Sequence, residues 1–346
     1  AVRKEVHSVF DQVFSLSDQA EIKDSSEIVW SGSSDDDCIE FLEQHGFLQA
    51  EESLKQLKNF KSSRAVSRLT SKGADVINRL IPQLIDQIQE VDNADITLKR
   101  VLALFEHVAG RNVYLSLLAE NPKALSQLIK LSSASPWICE YLAQYPVLFD
   151  ELLDTRSLYE PLDKKQLTSQ LQSCLETIAN EDVEQLMIKL RQFKHVNILR
   201  IAAADIMDVI PVMVVSDYLT YVAEVILDAV IDRAWKILTA KHGLPPNSSD
   251  AHKAFAILGF GKLGGIELGY GSDLDMVFLY HCKDGNAMTD GAKPVGCSQF
   301  YGRLGQKVRH ILDTKMLSGL LYEVDLRLRP SGDSGLLVTH IDVYED

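Results

Sequence analysis

The sequence has little cysteine, no long apolar run and no excess of positive charge. Its five cysteines, spread over 346 residues, include no C-x-x-C pair. This argues against a disulfide framework and against a cysteine-based zinc site, so we expect reduced thiols and a cytoplasmic location. No apolar run approaches the roughly 20 residues that a membrane span requires. The N-terminus lacks the layout of a signal peptide.

The formal net charge of -14 disfavours non-specific binding to nucleic acid or to an anionic membrane. The charge of an anionic substrate must therefore be neutralised by groups at the binding site, for instance by metal ions. Hydrophobic residues make up 46% of the chain and charged residues 24%, as in ordinary soluble proteins. The length is enough for two domains. The chain begins with Ala1 and not with methionine, so we expect a processed chain or a fragment.

Helical periodicity dominates the chain up to residue 240, and β character follows it. Residues 1–60 are acidic and are expected to form a linker or irregular helical segment, in which Ser33 or Ser34 caps a helix that starts with Asp35–Asp37. Consecutive helices separated by short proline-containing breaks are predicted from residue 61 onward, which gives a helical domain over 61–195. Strands are predicted at 255–260, 274–280, 320–328 and 335–339, with a helix over 298–312. The predicted class is α+β, with the sheet confined to residues 196–346.

Glycines cluster after the first predicted strand, in GFGKLGGIELGYGSD. Gly261, Gly264 and Gly265 would let backbone N–H groups approach an anion such as a phosphate. Tight packing between a strand and a helix explains the same glycines equally well. The spacing matches neither a P-loop nor a dinucleotide-binding fingerprint. Lys262 could contact phosphate, although a lone lysine in a loop is more often solvated.

Two aspartates open the second predicted strand. Because side chains alternate along a strand, Asp273 and Asp275 point to the same side. Two such carboxylates repel each other in a poorly solvated site, and a divalent cation such as Mg²⁺ turns that repulsion into ligation. The alternative is an exposed pair at a strand edge. The almost wholly apolar strand that follows favours the metal site.

A third acidic position lies in YEVDLRLRP. By alternation Glu323, Asp325, Arg327 and Arg329 share one face. Asp325 would complete a set of three carboxylates able to hold two metal ions, and Arg327 or Arg329 would neutralise phosphate charge. A structural salt bridge between these arginines and the aspartates stays open as the alternative.

The segments GFGKLGGIELGYGSDLDMVFLY and YEVDLRLRPSGDSGLLV resemble the glutamine synthetase adenylyltransferase (glutamate–ammonia ligase adenylyltransferase) family. The similarity extends upstream through LRQFKHVNILRIAAADIMDVIPVMVVSDYLTYVAE and covers most of the chain after residue 60. It implies a polymerase-β-like nucleotidyltransferase core over residues 196–346, truncated at its C-terminal end, that uses Mg²⁺ and ATP. It carries metal-binding roles to Asp273, Asp275 and Asp325. It carries nucleotide-phosphate roles to Gly261, Lys262, Gly264, Gly265 and Ser272.

The residues of these motifs resemble those of the C-terminal, adenylylating half of the family. The implied reaction transfers AMP from ATP to a tyrosine of glutamine synthetase and releases pyrophosphate, which regulates nitrogen assimilation. Asp325 is expected to help deprotonate the tyrosine. A PII-type regulatory protein is an expected partner of the full-length enzyme, and no nucleic acid or membrane partner is expected. The alternatives are the deadenylylating, phosphorolytic half, and a helical interaction fragment whose nucleotidyltransferase core is inactive. A third alternative, transfer to RNA or to a small molecule, is disfavoured by the acidity of the chain.

Overall fold

The computed structural model describes residues 26–32, 34–284 and 286–345. The chain divides into two compact units, the first ending at Leu158 and the second beginning at Tyr159. None of the described helices combines the length and the apolar character that a membrane crossing needs. Residues 1–25 of the expected linker and Ser33, one of its two candidate caps, lie outside the described residues.

The first unit is helical throughout its described part. Ser34 caps the helix that carries the acidic run, because its hydroxyl accepts a hydrogen bond from the Asp37 N–H at 3.3 Å. Pro122, Pro136 and Pro146 each occupy the first turn of a helix, where a missing N–H is tolerated. The α-helices are α1 (Glu27–Ser31), α2 (Asp35–Gln44), α3 (Ala50–Ser62), α4 (Arg64–Ser67), α5 (Ser71–Ile88), α6 (Ala94–Val108), α7 (Asn112–Glu120), α8 (Pro122–Ala134), α9 (Pro136–Gln144) and α10 (Thr155–Leu158), with a 3-10 helix over Pro146–Leu153.

Three helices precede the sheet in the second unit: α11 (Lys164–Leu175), α12 (Val183–Ile206) and α13 (Val212–His242). Arg233 on α13 donates hydrogen bonds to the carbonyls of Leu175 and Ile178. These carbonyls lie at and just beyond the end of α11, where backbone carbonyls have no N–H partner within the helix. The expected boundary between residues 195 and 196 falls inside α12. The division into 1–60, 61–195 and 196–346 stays a prediction.

The sheet is small and mixed, as predicted, and β2 is its central strand. Its strands are β1 (Phe255–Gly259), β2 (Leu274–Tyr280), β3 (Val324–Asp325) and β4 (Val338–His340). β2 runs antiparallel to β1 and parallel to both β3 and β4. Helix α14 (Gly261–Gly264) follows β1, α15 (Cys297–Asp313) follows β2, and α16 (Ile341–Glu345) follows β4; a 3-10 turn covers Gly332–Ser334. Because β2 is covered on both faces, its residues from Met276 to Phe278 are fully buried.

The third strand is much shorter than predicted. The sequence predicts a strand over 320–328, but only Val324 and Asp325 pair with β2. The Asp325 carboxylate accepts a hydrogen bond from the Arg327 N–H at 2.8 Å, and this turns the chain away from the sheet. Alternation therefore does not continue to Arg327 and Arg329.

Cys282 and Cys297 form a disulfide, so the prediction of reduced thiols is wrong for this pair. Cys282 follows β2 and Cys297 begins α15, fifteen residues later. The loop between them folds back on itself, with Met288 bridged to Gly296, and this brings the two Cα atoms to 6.7 Å. The spacing of the cysteines in the sequence does not show that the loop brings these two residues together. Cys38, Cys139 and Cys174 are free.

Candidate active site

Three carboxylates converge where β2 begins. Asp275 and Asp325 are register partners in the parallel pairing of β2 with β3, and Asp273 lies two residues before Asp275. One oxygen from each of the three side chains lies within 4.8 Å of the other two. The predicted convergence therefore occurs. A donor set made only of carboxylate oxygens fits a hard divalent cation such as Mg²⁺.

The Asp275 carboxylate lies close to two other negative charges. Partial burial raises the pKa of Asp275, and the neighbouring charges of Asp273 and Asp325 raise it further. Arg327 and Lys262 oppose this increase. Carboxylates crowded in this way repel each other, and a cation among them would relieve that repulsion. The electrostatics thus fit a metal ion as well as the geometry does.

Asp325 has a dedicated cationic partner. The Arg327 guanidinium contacts both carboxylate oxygens, with Nε at 3.0 Å from Oδ1 and 2.9 Å from Oδ2. These bonds lower the pKa of Asp325 to about 2. The open alternative of an arginine–aspartate salt bridge therefore holds for Arg327. A carboxylate with this pKa is a weak proton acceptor for a tyrosine of ordinary pKa about 10, which disfavours the expected role of Asp325 in deprotonation.

The glycine turn after β1 packs directly against this group. Gly261 has a φ of +52°, and a Cβ there would lie 2.2 Å from Oδ2 of Asp275. The N–H of Phe260 also donates to the backbone carbonyl of Asp275 at 2.9 Å. Gly264 is similarly close to the Gly259 carbonyl, at 2.5 Å from where a Cβ would be. Tight packing therefore accounts for Gly261 and Gly264, whatever else the turn binds.

Four more residues are predicted to contact phosphate. Lys262 and Gly265 are exposed. The Ser272 hydroxyl accepts a hydrogen bond from the Gly269 N–H at 3.0 Å, so it holds the loop just before Asp273. Arg329 donates to the carbonyl of Leu326 at 2.6 Å. Phosphate contacts by these four residues stay predictions.

A cavity of about 290 Å³ opens beside the carboxylates. Asp273 and Asp325 border it, and so do Glu323, Val324, Leu326, Arg327 and Arg329. Arg309, on α15, also lines it. The sequence does not single out Arg309, because it lies on the exposed side of an amphipathic helix and is near Asp313, with 3.7 Å between the charged groups. Asp273 and Asp325 thus border a cavity that also bears three arginines, and these cationic groups can bind an anionic substrate.

The strands and the glycine turn give this unit the arrangement of a polymerase-β-like nucleotidyltransferase. Comparison with protein families narrows the class further. The model of the glutamate-ammonia ligase adenylyltransferase family matches residues 125–346, well over half of the chain. The chain belongs to this family, which confirms the resemblance seen in its sequence.

Curated relatives extend the similarity over almost the whole chain. The chain is 51% identical over 84% of its length to the bifunctional glutamine synthetase adenylyltransferase/adenylyl-removing enzyme of Methylococcus capsulatus, covering 31% of that protein. It is 43% identical over 99% of its length to the enzyme of the same name from Thioalkalivibrio sulfidiphilus, covering 37% of it. The corresponding values for Vibrio parahaemolyticus are 44%, 99% and 36%. The chain thus spans about a third of the length of these relatives.

Proposed function

We propose that this chain carries a Mg²⁺-dependent nucleotidyltransferase site that transfers AMP from ATP to a tyrosine of glutamine synthetase and releases pyrophosphate. The reaction would regulate nitrogen assimilation. One observation carries the proposal. Three carboxylates lie within 4.8 Å of one another in a chain whose relatives are named for adenylyl transfer to glutamine synthetase.

At the α-phosphorus the reaction forms one bond and breaks one. The tyrosine oxygen bonds to the α-phosphorus of ATP while the bond from that phosphorus to the β-phosphate's bridging oxygen breaks. Pyrophosphate leaves with the electron pair, and the hydroxyl proton passes to solvent. A divalent cation held by the carboxylates would neutralise phosphate charge and lower the pKa of the attacking oxygen. Positioning and charge neutralisation then supply most of the rate acceleration.

Each residue of the site has one task in this scheme. Asp273, Asp275 and Asp325 ligate metal, and Arg327 is the ion-pair partner of Asp325. Gly261 allows the turn to lie against Asp275. The triphosphate is contacted by the backbone of the glycine turn, by Lys262 and Ser272 in the glycine-rich segment, and by Arg309 and Arg329 in the cavity. Gly264 and Gly265 keep that turn free of side chains.

The adenylylating half is favoured by the wording of the ELGYGSDLD and VSDYLTYVAE segments. The second candidate is the removal of AMP by phosphorolysis, because the names of the relatives include an adenylyl-removing activity. Whichever of the two reactions this chain performs would use its own site of three carboxylates. Control by a PII-type protein is proposed for the full-length enzyme alone.

The test is AMP transfer measured with two labels. The chain is incubated with Mg²⁺, unmodified glutamine synthetase and ATP labelled either at the α- or at the γ-phosphate. Transfer of AMP predicts that the α-label and not the γ-label enters glutamine synthetase. Asp273→Asn should abolish the labelling while its circular dichroism and melting temperature stay close to those of the unmodified chain.

A parallel reaction separates the two halves. AMP-modified glutamine synthetase is incubated with the chain and inorganic phosphate. Release of ADP here, without labelling of the unmodified protein, would assign the chain to the removing half. Full labelling by Asp273→Asn would show that the carboxylates are not the reaction centre.

A further inference from the structure

The C-terminal end of α12 is hydrogen-bonded to the glycine-rich segment of the site. The Tyr270 hydroxyl donates to Oδ2 of Asp205 at 2.7 Å, although 65 residues separate the two along the chain. Tyr270 is half-buried and lies between Gly269 and Gly271. Burial and the Asp205 carboxylate both raise the pKa of this tyrosine, so its hydroxyl stays protonated and able to donate. Neither residue has a task in the transfer reaction above.

The glycine-rich segment is held at its start, where the Phe260 N–H donates to the backbone carbonyl of Asp275, and Leu268 is buried. Beyond that start, several of its hydrogen bonds are local, such as Glu267 N–H to the Lys262 carbonyl at 2.8 Å and Gly269 N–H to the Ser272 hydroxyl at 3.0 Å. Bonds of this kind shape the loop without placing it against the rest of the protein. The Tyr270 hydroxyl bond does place it, because its acceptor lies on a long helix.

The segment is also strained. Ile266 has a φ of +58°, in the left-handed region that a β-branched residue rarely occupies, and its side chain is 49% exposed. Such a conformation persists only where surrounding contacts determine it. The contacts that hold the segment, including the bond from Tyr270 to Asp205, therefore help to maintain this conformation.

Helix α12 is itself anchored on the other side of the site. Arg191 donates to the carbonyl of Gly319 at 2.9 Å, and Lys194 donates to that of Leu321 at 2.5 Å. These carbonyls lie in the loop that leads into β3 and Asp325. The same helix thus holds the chain that enters Asp273 and the chain that enters Asp325.

We infer that Asp205 and Tyr270 are positioning residues whose hydrogen bond fixes the glycine-rich segment, and with it Ser272 and Asp273, for binding of a metal-bound nucleoside triphosphate. Tyr270 is three residues from Asp273, a span of at most about 10 Å. Movement at Tyr270 is therefore transmitted to the first carboxylate. The inference rests on the proposed function for the identity of the ligand.

The experiment compares Tyr270→Phe with Tyr301→Phe. Tyr301 is a fully buried tyrosine of the same unit whose hydroxyl donates to the Lys253 carbonyl at 2.9 Å, away from the glycine-rich segment. Binding of Mg²⁺ with a non-hydrolysable ATP analogue is measured by isothermal titration calorimetry. Tyr270→Phe should weaken binding about tenfold, since the bond it removes has a charged acceptor. Tyr301→Phe should lower the melting temperature and leave the affinity unchanged.

Three further variants test whether the pair acts through this bond. Asp205→Ala should weaken binding as much as Tyr270→Phe, and the double variant should be no weaker than either single variant. Asp205→Asn keeps an acceptor oxygen and should recover part of the affinity. In the transfer assay the KM for ATP should rise in Tyr270→Phe, while the KM for glutamine synthetase stays unchanged.

Unchanged affinity in Tyr270→Phe, equal losses in both tyrosine variants, or additive losses in the double variant would each overturn the inference. These results are separable from failure of the proposed function. If the chain binds the ATP analogue but labels no glutamine synthetase, the function is wrong and the calorimetry still decides the role of the pair. If the chain binds no ATP analogue, both are wrong.

Discussion

Replacing Gly261 by alanine should displace the Asp275 carboxylate and reduce AMP transfer without unfolding the protein. A Cβ at this position would lie 2.2 Å from Oδ2 of Asp275, and real Cβ contacts shorter than 3.0 Å are essentially never seen. The carboxylate, the turn or both must therefore move by at least 0.8 Å to restore a 3.0 Å separation. The φ of +52° adds backbone strain for any residue with a side chain.

The expected losses of activity and of stability follow from the displacement of the carboxylate and from the backbone strain. Metal–ligand distances tolerate changes of about 0.2 Å, and a misplacement of about 1 Å at a reaction centre can reduce the rate about 100-fold. We therefore expect kcat/KM to fall about 100-fold. The left-handed conformation costs alanine about 1–2 kcal/mol, so the free energy of unfolding should fall by a similar amount.

Gly271→Ala is the matched control, because a Cβ there meets nothing within 4 Å. The assay measures initial rates of α-label transfer together with urea unfolding for both variants. Gly271→Ala should keep its activity within about twofold, since no contact is created. The reasoning is refuted if Gly261→Ala keeps full activity, or if both glycine variants lose activity equally.

Three other predictions concern protonation and the disulfide. His195 is 6% exposed, and burial lowers its pKa to about 3 from 6.5. Below about pH 6.5 the imidazole of His195 therefore binds a proton in the unfolded chain but not in the native state. The free energy of unfolding falls as the pH drops below this value. Between pH 7.5 and 5 this loss is about 2 kcal/mol, and urea unfolding should show it in the unmodified chain but not in His195→Gln; equal pH profiles would contradict it. Arg327→Gln should raise the pKa of Asp325 from about 2 toward its ordinary value. Carbon-13 NMR titration of labelled aspartate would measure this change, and an unmoved pKa would disprove the pairing. Replacing Cys282 and Cys297 together by serine removes a cross-link over 15 residues and should lower the free energy of unfolding by about 3 kcal/mol. Cys174→Ser, at an exposed free cysteine, should change it by less than about 0.5 kcal/mol.

The central part of the second unit could be predicted from local patterns. β2 matches its predicted range, because an almost wholly apolar run allows few alternatives, and α15 extends the predicted helix by one residue at each end. The convergence of Asp273 and Asp275 follows from the alternation of side chains along an extended chain. Asp325 joins them because β3 pairs with β2 at that residue. Two residues of strand are enough to place it.

The features that could not be predicted depend on contacts between distant residues. β3 ends early because the Asp325 carboxylate accepts a hydrogen bond from the Arg327 N–H. The alternation of polar and apolar residues does not reveal that this side chain replaces a strand partner. Asp205 and Tyr270 meet across 65 residues, and Cys282 meets Cys297 only because the loop between them folds back. Arg309 reaches the cavity through the packing of α15. None of these contacts leaves a periodic signal in the sequence.

The central claim is that Asp273, Asp275 and Asp325 together hold divalent metal. Anomalous diffraction from crystals soaked with Mn²⁺ and a non-hydrolysable ATP analogue tests it most directly, because manganese replaces Mg²⁺ at oxygen sites and its position is read from the map. The account predicts anomalous density within about 2.0–2.3 Å of carboxylate oxygens of Asp273, Asp275 and Asp325, with the triphosphate beside the glycine turn. A bound nucleotide with no peak at these carboxylates, or a peak elsewhere, would contradict it.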